Sequence, residues 1–343
     1  MDDFAEFASS WKERLDRKGE RRTVPNIVYE NVRFVLVGDH VQRLEPQKTP
    51  IDFLIGYVCT CFGKEWAEQE LAKPQEQSHP FIDWYRKMRD YQREVQEQQA
   101  GPQDHVVAPA SNPMRALVQL AWDLMLLENH AEIQDRLLTR LRDRQKFQGA
   151  RHEVFAASLL VMAGFELTVV DETDNKRKHP EYIAKFRRTG EEIAVEAKSK
   201  HRIGILAAEG TAPRDPDRLR LQRLLEDAFA KAEDITLPLL VFVDLNVPAM
   251  GAPTPDATWI NEITEDIQKA LPVNANGKDP FAALVVSNQP YQRAANDEPR
   301  YQHECHLVIS KKPKMGVRDA ACLMALREAS FKYANVPRTW EEM

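Results

Sequence analysis

Two hydrophobic periods divide this chain. Up to about residue 147, apolar residues recur at helical spacing over 3–17, 50–71, 81–98, 113–128 and 132–147, which predicts a mostly helical region. In the fourth of these, Leu117, Leu120, Ala121, Leu124 and Leu127 form the stripe expected to be buried. Residues 97–113, rich in Gln, Pro, Ala and Gly, read as a linker or long loop. After Gly149 the period changes. A helix over 151–163 stops at Gly164, a strand is expected over 165–170, and strands over 182–186 and 193–199 flank Arg187-Arg188-Thr189-Gly190-Glu191, a connection suited to an antiparallel hairpin.

Beyond a Pro- and Gly-punctuated loop over 204–216, a helix over 218–233 leads into the unbroken apolar run 237–245, the mark of a strand covered on both faces. A helix over 259–271 and strands over 281–286 and 306–309 complete the pattern. It predicts an α/β fold with a mixed sheet flanked by helices over 147–343, preceded by a mostly helical region over 1–146.

Composition narrows the function classes. At 343 residues, with 43% hydrophobic residues, the chain can bury a sizeable core. A formal net charge of -6 argues against non-specific coating of nucleic acid, so a polyanion would have to be met locally. Four scattered cysteines do not make a disulfide framework, and the acidic start Met1-Asp2-Asp3 differs from a basic secretory signal. A cytoplasmic location is expected. No apolar run approaches the roughly 20 residues a membrane helix needs.

The candidate chemistry lies in Ile193-Ala194-Val195-Glu196-Ala197-Lys198-Ser199. Alternation puts Glu196 and Lys198 on one face of a strand, and Ile193, Val195 and Ala197 on the other. Pro180-Glu181 opens the preceding strand, so hairpin pairing would set Glu181 beside Glu196. Two carboxylates that close repel unless a cation neutralises them, and oxygen ligation favours Mg2+ or Mn2+. Lys198 would then position water or meet a phosphoryl oxygen.

Four segments resemble, in order, the PD-(D/E)xK, or restriction-endonuclease-like, nuclease superfamily over residues of about 147–290. Residues 149–165 are similar to its first core helix, Pro180-Glu181 to its proline-acid element, and Glu196-Ala197-Lys198 to its acid-x-lysine element. The later helix and apolar strand resemble its crossover. The resemblance implies a metal-dependent nuclease, with DNA as the expected substrate, and permits a role in restriction or defence. It implies metal ligands at Glu181 and Glu196, a catalytic Lys198, and Glu153 as a further catalytic acid on the helix. The family usually has aspartate where Glu181 stands, so Asp171 or Asp174 is an alternative first ligand.

Residues 176–202 carry nine basic residues against four acids. Among them, Lys185, Arg187, Arg188, Lys200 and Arg202 are candidate nucleic-acid contacts. The run Arg136, Arg140, Arg142, Arg144 and Lys146 reads by default as a solvated helix face, and His152 and His201 as ordinary polar residues. Cys59-x-Cys61 and His303-Glu304-Cys305-His306 lie too far apart in sequence to favour zinc. The helical region is left for recognition, of substrate, of a protein partner or of a second copy in a homodimer. The reading from a different class is a non-catalytic nucleic-acid-binding or protein-interaction module on the same fold.

Overall fold

A computed structural model describes residues 24–343 except 39, 99–109, 131–134, 171–178, 200–219, 248–256, 273–276, 293 and 297–299, and leaves out the side chains of 257–260. The expected helix over 3–17 and loop over 204–216 lie outside the described residues, as does most of the 97–113 connection.

The first elements are strands that the sequence reading did not anticipate. β1 (Asn26–Tyr29), β2 (Val32–Val37) and β3 (His40–Leu44) form an antiparallel three-stranded sheet. A two-residue turn at Glu30 and Asn31, with φ of 46° and 60°, closes the first hairpin, a conformation that suits the right-handed strand twist.

The expected single helix over 50–71 is two, α1 (Pro50–Phe62) and α2 (Lys64–Leu71). Gly63 separates them at φ 85°, a left-handed conformation that stops the hydrogen-bond ladder. The start of α1 is fixed by a capping box between Thr49 and Asp52. α3 (Pro80–Gln98) and α4 (Asn112–His130) follow, and α4 is buried almost all round from Ala116 to Leu127. The helix expected over 132–147 is shorter, α5 (Asp135–Arg142), and Phe147 already begins α6 (Phe147–Met162).

A six-stranded mixed sheet then supports the molecule. Its order is β4 (Phe165–Val169), β5 (Tyr182–Phe186), β6 (Glu191–Ser199), β7 (Leu239–Asp244), β8 (Ala283–Asn288) and β9 (Glu304–Ile309). β4, β5 and β6 are antiparallel, β6 to β8 are parallel, and β9 returns antiparallel. Gly190, at φ 74°, turns the β5–β6 hairpin. Parallel neighbours need long crossovers, and α7 (Gln222–Phe229) and α8 (Ala257–Ala270) lie in them. A 3-10 turn, Ala230–Glu233, prolongs α7. α9 (Ala321–Lys332) was not expected from the pattern.

Side-chain alternation divides the core in two. Ile193, Val195 and Ala197 of β6 pack with Phe242 of β7 against α6, and this cluster continues through α4 to α1, α3 and α9. The core therefore runs across residues 146 and 147 without a break. Ala194, Val241 and Val243 point the other way, into a separate cluster with Leu225, Phe229 and Ile263 of α7 and α8. Among the described residues no helix is long and apolar enough to cross a membrane.

Candidate active site

The hairpin register puts the two expected acids together. Tyr182 pairs with Val195, so Glu181, one residue earlier, stands across from Glu196. The Glu181 N–H donates to Val195 O at 2.9 Å, which holds the pairing past the end of β5. Glu196 and Lys198 share the parity of Ala194 and so lie on the α7 side of the sheet. This is no solvated strand face, because Glu196 is 0% exposed.

A carboxylate so deeply buried needs cations, and two are supplied. Lys198 Nζ lies 2.6 Å from Glu196 Oε1. Lys231 Nζ, from the 3-10 turn after α7, donates to Glu196 Oε2 at 2.8 Å and lies 3.8 Å from Glu181 Oε1. Burial alone would lower the Lys198 pKa, but the charge of Glu196, with smaller contributions from Glu181 and Asp227, leaves it raised. Lys198 is therefore a cation at neutral pH, suited to holding negative charge or orienting water and unsuited to removing a proton.

Lys231 escaped the sequence reading. It falls inside the expected helix over 218–233, and only its position four residues after Asp227 placed it on a recognisable polar stripe. The side chains of Lys198 and Lys231 remain 25% and 19% exposed. A cleft of about 750 Å³ opens between α7 and α8, lined by the bases Arg220, Arg223 and Lys269 and by the acids Glu226, Asp227, Glu262, Glu265 and Asp266. Asp227 thus lines the cleft and also acts on Lys198.

Three expectations need correction. Glu153 does not join the cluster. It lies on α6, which packs against the Ile193 and Val195 face of the sheet, opposite to Glu196, and its carboxylate is held by Arg140 through two contacts of 2.6 Å. The helix packs by its apolar residues, and that sets Glu153 toward α5. Nor do Lys185, Arg187 and Arg188 surround the acids. Lys185 pairs with Glu192 and the two arginines enter the hairpin turn, at the far end of β5 from Glu181. At about 3.3 Å per residue, Lys185 and Arg188 stand roughly 13 to 23 Å along the strand from Glu181. Lys200, Arg202, His201, Asp171 and Asp174 lie outside the described residues.

The basic run is a solvated face only in part: Arg136 and Lys146 are exposed, but the three arginines between them have protein partners. Besides Arg140 on Glu153, Arg142 donates to Cys61 O at 2.7 Å and Arg144 to Glu76 O at 2.9 Å, tying α5 and the turn after it to α1 and to the 75–77 turn. His152 is buried, and desolvation lowers its pKa below the usual histidine range.

Behind the strand end, Gln148 donates to Ser199 Oγ at 2.7 Å and Ser199 to Asp244 Oδ2 at 2.7 Å. This chain ties α6, β6 and β7 where Lys198 emerges. Asn288 accepts from Val247 N–H at 3.1 Å and donates to Glu304 at 2.7 Å, so it caps the end of β8.

As a donor set, Glu181 and Glu196 offer hard carboxylate oxygens that fit Mg2+ or Mn2+, with Lys231 already serving as their cation. Among the described residues no three His, Cys, Asp or Glu side chains gather as a metal-holding group. No family model, no curated protein and no solved structure matches this chain.

Proposed function

We propose that this chain is a Mg2+- or Mn2+-dependent nuclease that hydrolyses phosphodiester bonds, with DNA as the expected substrate, on a restriction-endonuclease-like core. The observation that carries the reading is the meeting of Glu181 and Glu196 across an antiparallel strand pair, with Lys198 on the same face and in contact with Glu196. The element order supports it too: helix, strand, hairpin, crossover helix and parallel strand.

Glu181 and Glu196 would hold the metal, which when bound would supply Lewis-acid activation of the phosphate and its nucleophile. The chain itself contributes charge placement. The Lys198 ammonium, anchored by Glu196, would meet a phosphoryl oxygen or orient the attacking water. Burial of Glu196 strengthens each of these electrostatic contacts over its value in water.

Purified protein incubated with plasmid, linear duplex, single strands and RNA, with Mg2+, Mn2+ or chelator, tests the reading. Cleavage should need the metal and should fall at least about a hundredfold in Lys198→Ala. Undiminished cleavage in that variant would sink the mechanism.

One observation favours a non-catalytic binding or interaction module instead. Among the described residues the two carboxylates already face two ammoniums, and Glu153 is committed to Arg140. Absence of both cleavage and metal binding in the same assays would select that second reading.

A further inference from the structure

Lys231 sits where a metal is wanted. Its Nζ lies 2.8 Å from one acid and 3.8 Å from the other, so one ammonium offsets the repulsion between Glu181 and Glu196. A divalent ion binding those oxygens would meet that ammonium at close range and be repelled by it, since both would occupy the space between Glu196 Oε2 and Glu181 Oε1. Lys198 is fixed by the strand that also carries Glu196, and it contacts the other oxygen, Oε1. Lys231 instead comes from a short 3-10 turn, on a flexible four-carbon stem.

We infer that Lys231 is a built-in counter-ion, holding the Glu181–Glu196 pair in the metal-free protein and leaving it when a divalent cation binds. This rests on the metal-dependent nuclease reading and adds a regulatory property to it. Metal affinity is set by an exchange of cations, so the site is weak for metal until Lys231 lets go. The exchange has a balance of charge. Among the described residues in contact, two carboxylates face two ammoniums, and departure of Lys231 takes one positive charge away for the incoming ion to replace. Departure also frees an ammonium on the same face as Lys198, where a substrate phosphate could take it up. Metal and nucleic acid would then favour each other's binding.

Mn2+ binding to the full chain, followed by electron paramagnetic resonance or calorimetry, tests this without reference to cleavage. Lys231→Met should bind Mn2+ about tenfold tighter than the parent, because no ammonium has to be displaced. The variant should also melt lower without metal and regain more on adding it, whereas Lys231→Arg should stay near the parent. Lys231→Gln serves if the methionine variant does not fold. In the unmutated protein, the methyl resonance of reductively 13C-methylated Lys231 should shift on titration with diamagnetic Mg2+. Equal or weaker Mn2+ affinity in the Met or Gln variant, or an unmoved Lys231 resonance at saturating Mg2+, would overturn the counter-ion role and leave the nuclease reading standing. No Mn2+ binding by parent or variant would overturn both.

Discussion

Among the described residues two carboxylates are completely buried, Asp123 on one side of the six-stranded sheet and Glu196 on the other, and they are held in opposite ways. Asp123 sits in the middle of α4. Gln119 and Ser158 donate to its Oδ1 at 3.0 and 2.9 Å, while the Arg151 guanidinium, 2.9 Å away, and the Tyr333 hydroxyl meet Oδ2. Arg151 is 2% exposed and itself contacts Tyr333 at 3.1 Å. Desolvation raises the Asp123 pKa, and the Arg151 charge and these hydrogen bonds oppose the rise. The carboxylate end of the network is closed: donors from α4, α6 and the residue after α9 reach both oxygens, and water has no entry, while Arg151 Nε and Nη1 stay buried without a hydrogen-bond partner among the described residues.

Glu196 has instead two lysines, each a point charge on a partly exposed side chain, one carried by the strand and one by a short turn. Directional bonds that fill every lone pair make a structural joint, whereas ammoniums that can leave make an exchangeable site. Burial alone does not distinguish the two.

The sharpest way to break this contrast is Asp123→Asn. Arg151 would be left as an uncompensated buried charge, and stability should fall by about 3–5 kcal/mol in a denaturant titration. A loss as small as that of a surface pair would mean that the network is not closed. Next comes Glu196→Gln, which should reduce cleavage at least about a hundredfold, roughly 2.7 kcal/mol of barrier, yet cost less stability than Asp123→Asn because both lysine side chains are partly exposed to water and Arg151 is not. If it destabilised as much as the Asp123 variant, Glu196 would be a joint rather than a site.

Proton uptake gives a third measure. His79 is 0% exposed, in the core cluster on the Asp123 side of the sheet, with Nδ1 accepting from Phe81 N–H, and burial pushes its pKa down to about 3. His303 is likewise lowered to about 3 and His130 to about 4, desolvation being the main cause in each. The unfolded chain takes up protons near pH 6.5 while the folded one does not, so this stability is present above pH 6.5 and is lost as the pH falls toward 3. For His79 the loss at pH 5 is about 2 kcal/mol. His79→Asn, which keeps an acceptor, should flatten the fall, and an unchanged slope would show that His79 protonates freely in the folded protein.

The smallest effect separates the acid on the helix from the acids on the strands. Glu153→Gln weakens only its pairing with Arg140, so stability should drop by about 1 kcal/mol with cleavage within about threefold of the parent. A hundredfold loss of cleavage would return Glu153 to the catalytic set.

Most of the sheet was legible along the chain because its signals are local. β5 occurs as expected and the strand expected over 193–199 is β6, since alternation and the Gly190 turn act between near neighbours. The strands β1 to β3 carry no clean alternation, and β2, Val-Arg-Phe-Val-Leu-Val, is mostly apolar along its length, so the turn at Glu30-Asn31 was their main local signal. In 50–71 the helical period continued past the break, and Gly63 was its one local warning.

By itself, then, the sequence determined that Glu196 and Lys198 share a face and that Glu181 stands opposite Glu196, for period-two alternation and hairpin pairing need only a few consecutive residues. The tertiary structure alone decided that Glu196 is sealed from water, that Lys231 bridges the acids, and that Glu153 turns away to Arg140. The rotation of a helix about its axis, and the place where a crossover docks, follow from apolar surfaces packing across the whole core. Charged side chains such as these go where that packing carries them.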